Sequence, residues 1–307
     1  MAVLPSPQQL RYLIALHETQ HFGRAAEECG VTQSTLSAGL AALERQLDAP
    51  ILDRSRSKRA MFTPLGRELV DRARDAITAL EAFVETADVA RAPMTGPLRL
   101  GVIPTIGPFL LPRVMPALRT AFPNLKPFLR EDTTDRLVER IQANRLDALL
   151  LAFPCSCAKL ETVTIAQDPF LAALPPGHRL ADLDRVPVRA LAGERLLLLE
   201  EGHCLRDQVV AACELQPESG LSRDEFAATS LHTLVQMVAS GLGVTLLPEM
   251  AITAGVTTGT DVILRPLAGR RTERAIALAW RPNAPRAADY RALAALLGAG
   301  KPEIAVA

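Results

Sequence analysis

The chain of 307 residues has no net charge, since 34 Lys and Arg balance 34 Asp and Glu. A global pull toward nucleic acid or an anionic membrane is therefore excluded, and any surface for a polyanion must be local. No apolar run approaches the ~18 residues that a bilayer-spanning helix needs. The nearest, Leu146 to Phe153, is short and interrupted by Asp147. The first residues, Met1 to Gln9, lack a basic segment followed by an apolar one, so no secretory signal is expected and the cytoplasm is the expected compartment. Gly 18 and Pro 23 follow no period, which excludes a collagen-like chain. Five cysteines are an odd number in a long chain. That excludes a disulfide scaffold and makes reduced thiols the default. No metal and no cofactor is expected.

What is present is 49% hydrophobic and 22% charged, a composition that folds. At ~100–200 residues per domain the length suggests two or three domains. From Pro7 to Thr63, Leu10, Leu13, Ile14 and Leu16 recur at helical spacing. Phe22, Ala25 and Ala26 open a second short helix ending near Cys29-Gly30. Thr32 stands where an N-cap belongs, and Leu36, Leu40, Leu43 and Leu47 continue the stripe. Helix, Gly-containing turn, helix is the outline of a helix-turn-helix. Short polar side chains at the start of a recognition helix reach base edges in the major groove. Thr32, Gln33, Ser34, Thr35 and Ser37 cluster there, with Arg24 on the preceding helix.

Residues 1–63 hold seven Lys and Arg against six Asp and Glu, so a concentrated positive cluster matters. Arg54, Arg56, Lys58 and Arg59 form one, flanked by Ile51-Leu52 and Met61-Phe62 as in a short hairpin or wing. Its expected partner is the phosphate backbone of double-stranded DNA, which gives affinity and salt dependence without base reading.

Thr63-Pro64 is a strong helix start, and no proline follows until Pro93. Leu65, Leu69, Ala73, Ile77 or Ala76, Leu80, Val84 and Ala87 keep an apolar seam, which predicts a long helix that pairs with a second copy, the alternative being a helix that lies on its own domain. From Gly96 onward strands alternate with helices. Leu98–Ile103, Leu125–Arg130, Ala148–Phe153, Phe170–Leu174, Arg195–Leu199, Phe226–Ala228, Gly243–Leu247, Val262–Leu264 and Ala275–Trp280 are the strand candidates. Largely parallel α/β sheets are expected, with ligands bound at the carboxyl ends of strands.

Cys204 follows the apolar strand Leu196–Leu199 and Gly202, where a helix is expected to start. A helix N-terminus, Arg206 and a protonated His203 would all favour its thiolate. A thiolate attacks a peroxide oxygen and becomes a sulfenic acid, which condenses with a second thiol. Cys213 lies nine residues on. A helix would put it ~13 Å away on the opposite face, whereas a disulfide needs α-carbons within ~7 Å. The pair can therefore be a switch that requires local refolding, or two small buried hydrophobes. Cys155 and Cys157 form a C-x-C past a strand end without nearby ligands and are read as incidental. Cys29 is read as packing.

The chain resembles the LysR-type transcriptional regulators. The resemblance rests on Phe22-Gly23-Arg24-Ala25-Ala26, Thr32 to Ser37, Glu44-Arg45-Gln46-Leu47, Leu52-Asp53-Arg54 and Phe62-Thr63-Pro64-Leu65-Gly66. Gly202 to Gln208 with Cys213, Ile103 to Pro108, Ala228 to Leu231 and Gly243 to Pro248 resemble the peroxide-sensing members. The fold implied is an α-helical winged helix-turn-helix domain (1–63) and a linker helix (64–92). An α/β periplasmic-binding-protein-like regulatory domain (93–307) follows. Its two subdomains cover about 93–166 with 270–307, and about 167–269. The resemblance implies Cys204 as the cysteine that reacts with hydrogen peroxide and Cys213 as the resolving one. Thr105, Thr134 (or its neighbour Thr133), His203 and Arg206 would surround the peroxide, with Asp207 assisting. It further implies a homotetramer built as a dimer of dimers, contact with RNA polymerase, and glutaredoxin or glutathione as reductant. The Pro154-Cys155-Ser156-Cys157 segment is not part of this pattern. A LysR-type regulator that binds a small organic effector and keeps structural cysteines is the alternative. A thiol peroxidase or disulfide oxidoreductase would need no DNA-reading end, so an enzyme is not expected.

Overall fold

The computed structural model describes residues 4–53, 61–155, 157, 159–213, 227–269 and 272–299. It divides into two compact units, Met1–Ala90 and Arg91–Ala307. Among the described residues no helix is long and apolar enough to cross a membrane.

The first unit begins with three helices, α1 (Pro7–Thr19), α2 (Phe22–Glu28) and α3 (Gln33–Leu47). Each starts at a side chain able to satisfy free backbone N–H groups. The Ser6 hydroxyl accepts from Gln9 N, and the Gln9 side chain accepts in return from Ser6 N. His21 Nδ1 accepts from the N–H groups of Gly23 and Arg24. Thr32 Oγ1 accepts from Thr35 N at 3.2 Å, a cap worth ~1 kcal/mol. Between α2 and α3 the chain turns at Gly30, whose φ of 66° is cheap for glycine. The spacing seen in the sequence converges on one core of Leu13, Leu16, Ala25, Leu36, Leu40 and Leu43. Strands β1 (Leu52–Asp53) and β2 (Met61–Phe62) then pair antiparallel. The long α4 (Pro64–Arg91) follows, with Thr63 Oγ1 accepting from Gly66 N at 2.9 Å. Gly66 packs so closely on Ile51 that a β-carbon there would overlap the Ile51 carbonyl oxygen. Leu80, Phe83 and Val84 on α4 are exposed.

The second unit runs β3 (Gly96–Val102), α5 (Gly107–Ala121), β4 (Leu125–Glu131), α6 (Thr134–Gln142), β5 (Ala148–Phe153) and β6 (Glu161–Leu174). Next come β7 (Val186–Pro187), α7 (Val188–Leu191), β8 (Leu198–Leu199), α8 (Cys204–Ala212), β9 (Ala227–Ala228) and α9 (Leu231–Ala239). It closes with β10 (Thr245–Pro248), α10 (Glu249–Thr253), β11 (Ile263–Ala268), β12 (Glu273–Trp280) and α11 (Ala287–Ala299). The main sheet has the order β4-β3-β5-β12-β6-β11-β7, and β10 also pairs with β6.

The sheet is mixed, which corrects the expectation of largely parallel pairing. Only β4, β3 and β5, and the β11–β7 pair, run parallel; β12 and β6 are antiparallel to each other, and β6 is antiparallel to β10 and β11. The reason is β6, which is 14 residues long and serves both halves. Its first nine residues alternate buried and accessible side chains too weakly to stand out in the sequence. Two apolar cores result. One holds Leu100, Val102, Leu137, Leu149 and Trp280, and the other Leu174, Leu197, Val209, Val235 and Leu247. Strand β6 sends Ile165 into the first and Phe170, Ala172 and Leu174 into the second.

Candidate functional site

Cys204 is the first residue of α8, reached through a turn at Gly202 with a φ of 89°. Its side chain enters the first core and is 8% exposed. The rest of the same helix is anchored in the second core through Leu205, Val209, Ala212 and Cys213. Cys213 ends the helix, its N–H donating to Val209 O at 2.9 Å. One short helix thus holds two thiols in two different cores. The intervening turns separate them by ~13 Å, beyond the ~7 Å a disulfide permits.

Polar groups gather where Cys204 points. Arg274 and Asp168 face each other across β12 and β6. Both are buried, with Arg274 Nε donating to Asp168 Oδ2 at 2.9 Å. Arg274 Nη1 donates to Thr105 Oγ1 at 2.9 Å and Nη2 to Thr105 O at 3.0 Å. Asp168 Oδ1 accepts from Met250 N at 2.8 Å, so both charges are held by hydrogen bonds. Thr134 starts α6 and is buried beside Cys204, and its Oγ1 has no hydrogen-bond partner other than that thiol. Leaving a buried hydroxyl unpaired costs ~1–3 kcal/mol, so it is placed to serve the thiolate or a ligand oxygen. Thr133, the alternative by one residue, instead packs its side chain beside Gly202. Gln208, one turn after Cys204, donates from Nε2 to Ala152 O at 3.1 Å and Pro154 O at 3.0 Å. Those two bonds tie α8 to the end of β5.

Burial pushes the Cys204 thiol up, which corrects the expectation that the site as a whole favours ionisation. Thr134, the Arg274 guanidinium and the Ala152 N–H oppose that rise, and the Asp207 carboxylate adds to it. Arg274, not Arg206, is the cation acting on the Cys204 thiol, while Arg206 Nη1 donates to Leu199 O at 3.1 Å. His203 is pushed down by burial despite Glu200, so near neutrality it is an uncharged imidazole rather than a cation. Asp207 is exposed on the first turn of α8. Cys213 is raised to about 11 by burial alone. The structure therefore brings Cys204, Thr105, Thr134 and Arg274 into one connected set. The sequence reading missed Arg274, Asp168 and Gln208. A charged residue opening the apolar run Ala275 to Trp280 was the one available signal for Arg274.

In the first unit Thr32, Gln33, Ser34, Thr35 and Ser37 are exposed at the start of α3. Thr32 Oγ1 also bonds the hydroxyls of Ser34 and Thr35 at 2.9 and 2.8 Å. Arg24 is exposed and donates to Thr19 O at 3.0 Å. Arg54, Arg56, Lys58 and Arg59 lie outside the described residues. Cys29 is half-buried at the edge of the helical core. Cys155 and Cys157, read as incidental, follow β5. They are joined as a disulfide, with α-carbons 5.3 Å apart.

Residues 7–67 match the bacterial regulatory helix-turn-helix protein model of the lysR family, and residues 91–301 match the LysR substrate binding domain. The chain is 40% identical over 288 residues to the DNA-binding transcriptional dual regulator OxyR of Escherichia coli K12, covering 94% of this chain and 93% of that one. It is 41% identical over 299 residues to a probable hydrogen peroxide-inducible genes activator of Mycobacterium leprae, covering 96% and 94%. Among solved structures, a full-length OxyR cysteine variant from Pseudomonas aeruginosa aligns with a TM-score of 0.74 at 34% identity, covering 96% and 98%. A hydrogen-peroxide-bound OxyR mutant from Corynebacterium glutamicum aligns with a TM-score of 0.65 at 30% identity, covering 98% and 94%.

Proposed function

We propose that this chain, which belongs to the LysR family of DNA-binding transcriptional regulators and is not an enzyme, senses hydrogen peroxide through a reversible Cys204–Cys213 disulfide. The observation that carries the reading is the placement of two thiols on one helix in two separate cores, with the Thr134 hydroxyl beside the first and committed to no other partner. Peroxide sits between Cys204 and the hydroxyls of Thr105 and Thr134, with Arg274 behind Thr105. The guanidinium and the threonine hydroxyls favour the thiolate and align the two peroxide oxygens. Sulfur attacks one oxygen and the O–O bond breaks. The other oxygen leaves as hydroxide and takes a proton to become water, while Cys204 becomes a sulfenic acid. Neutral His203 and exposed Asp207 are placed at the helix start, where they can pass that proton. Arg206, bonded to Leu199 O, orients the turn.

Resolution then needs α8 to unwind. The Cys213 thiol attacks the sulfenic sulfur, a disulfide forms and water leaves. Because the helix spans both cores, its loss repacks the regulatory domain, and the change reaches the DNA through the linker helix. In this reading 1–63 reads DNA, 64–92 pairs two copies and 93–307 senses. Arg24, Thr32 to Thr35 and Ser37 read bases or place the helix, and the Arg54 to Arg59 wing holds phosphates. The working form is a cytoplasmic homotetramer that engages RNA polymerase and is reset by glutaredoxin or glutathione.

The test is Cys204→Ser in the full chain, with DNA footprinting with and without peroxide. The footprint is expected to form and to stop responding to peroxide. A Ser variant that still responds would overturn the reading, and one that responds only to an organic metabolite would support an effector-binding regulator instead.

A further inference from the structure

Cys204 and Cys213 do not account for all the sulfur near this site. Cys155 and Cys157 pack against the same core that holds Cys204, whereas Cys213 lies in the other. They follow β5 directly, and α8 holds that segment: Gln208 binds the Ala152 and Pro154 carbonyls, the second belonging to the residue just before Cys155. Cys204 and Gln208 are four residues apart and share one face of α8. Both C-x-C cysteines are half-buried, so an external thiol reaches them more easily than the buried Cys204 or Cys213. Their α-carbons, 5.3 Å apart, already sit within disulfide range, and the structure joins them.

We propose that Cys155 and Cys157 are a second redox couple, which takes the oxidising equivalent from Cys204 without unwinding α8 and so returns the sensor to its resting state. The inference rests on the reading of Cys204 as the peroxide-reacting thiol. The Cys155 thiol attacks the Cys204 sulfenic sulfur. A Cys204–Cys155 disulfide forms, and the sulfenic oxygen leaves as water. The Cys157 thiol then attacks the Cys155 sulfur, which breaks that bond, releases Cys204 as thiol and leaves Cys155–Cys157 as disulfide. One hydroperoxide and two thiols become two waters and one disulfide, and a small thiol such as glutathione reduces the couple again. The couple competes with Cys213 for the same sulfenic acid, so it raises the peroxide level at which α8 unwinds.

Trypsin separates the participants. Peptide 146–159 holds both C-x-C cysteines, 196–206 holds Cys204 and 207–223 holds Cys213. Full-length reduced protein receives one equivalent of hydrogen peroxide, is alkylated and is read by mass spectrometry. In Cys213→Ser, peptide 146–159 is expected to lose two hydrogens while Cys204 returns to an alkylatable thiol. In Cys157→Ser with Cys213→Ser, a Cys204–Cys155 cross-link between 196–206 and 146–159 is expected. Oxidation of 146–159 to the same extent in Cys204→Ser would overturn the relay. So would a Cys213→Ser protein in which 146–159 stays reduced while Cys204 accumulates as sulfenic or sulfinic acid. The underlying reading is checked separately by trapping with dimedone in a variant lacking Cys155, Cys157 and Cys213. A Cys204 adduct there upholds that reading even if the relay fails, and its absence removes both.

Discussion

Val209→Ala addresses the switch without touching either sulfur. Val209 lies mid-way along α8, five residues from Cys204 and four from Cys213, and is 2% exposed in the second core. Truncation removes two methyl groups from that core. At ~0.8 kcal/mol per buried carbon, plus a cavity term, the reduced form loses roughly 2 kcal/mol. If oxidation pulls α8 out of its core, the oxidised form has no such contact to lose. The whole difference then appears in the redox equilibrium. Roughly 2 kcal/mol is about thirtyfold in the equilibrium constant, or about 40 mV for a two-electron couple. The sign follows from which form is weakened. Destabilising the dithiol makes the disulfide harder to reduce, so the midpoint moves to more negative potential. The assay is equilibration of the full chain in glutathione buffers, with alkylation and mass spectrometry of peptides 196–206 and 207–223. Melting of the reduced form is expected to fall while that of the oxidised form is unchanged. An unaltered midpoint accompanied by equal losses of stability in both forms would mean that Val209 keeps its core in both, and that α8 does not unwind.

Two further outcomes follow from particular residues. Cys213 is held as a thiol up to about pH 11 by burial, against an ordinary value of 9.0. The unfolded chain therefore loses its proton first. The stability contributed by the buried thiol is complete below pH 9 and falls away as pH rises toward 11, by on the order of 2–3 kcal/mol. Denaturant melts of reduced wild type and Cys213→Ala between pH 8 and 11 should show a shallower slope in the variant; identical slopes would dismiss the burial argument. Gly66→Ala places a methyl group against the Ile51 carbonyl at the start of α4. Overpacking of this kind costs ~1–3 kcal/mol, so the thermal transition of the DNA-reading unit should drop, and an unchanged transition would show that α4 can shift to make room.

The helical head was legible because its signals are local. Ser6, Thr32 and Thr63 each sit at a helix start and satisfy an N–H three residues on, and the leucines repeat with the helical period. Strand β5 was equally plain as a continuous buried apolar run, and β3 as apolar residues broken by Arg99. Strand β6 was seen only in its last five residues, because the earlier ones face solvent on one side and carry few large apolar groups. Its antiparallel run against β12 is a long-range pairing that no local pattern encodes, and from that pairing comes the mixed sheet. The same pairing sets Asp168 opposite Arg274, 106 residues apart, and brings Thr105 to them from a third position.

By itself the order of amino acids determined the reading helix, the long helix after Thr63-Pro64, the alternation of strands and helices, and the nine-residue interval between Cys204 and Cys213. Each of these depends on neighbours within a few turns of chain. The tertiary structure alone decided that the two thiols lie in different cores, that the Arg274 charge acts on Cys204, and that Cys155 and Cys157 are paired. Burial and charge at a thiol are sums over every segment packed around it, and those segments meet only when the chain has folded.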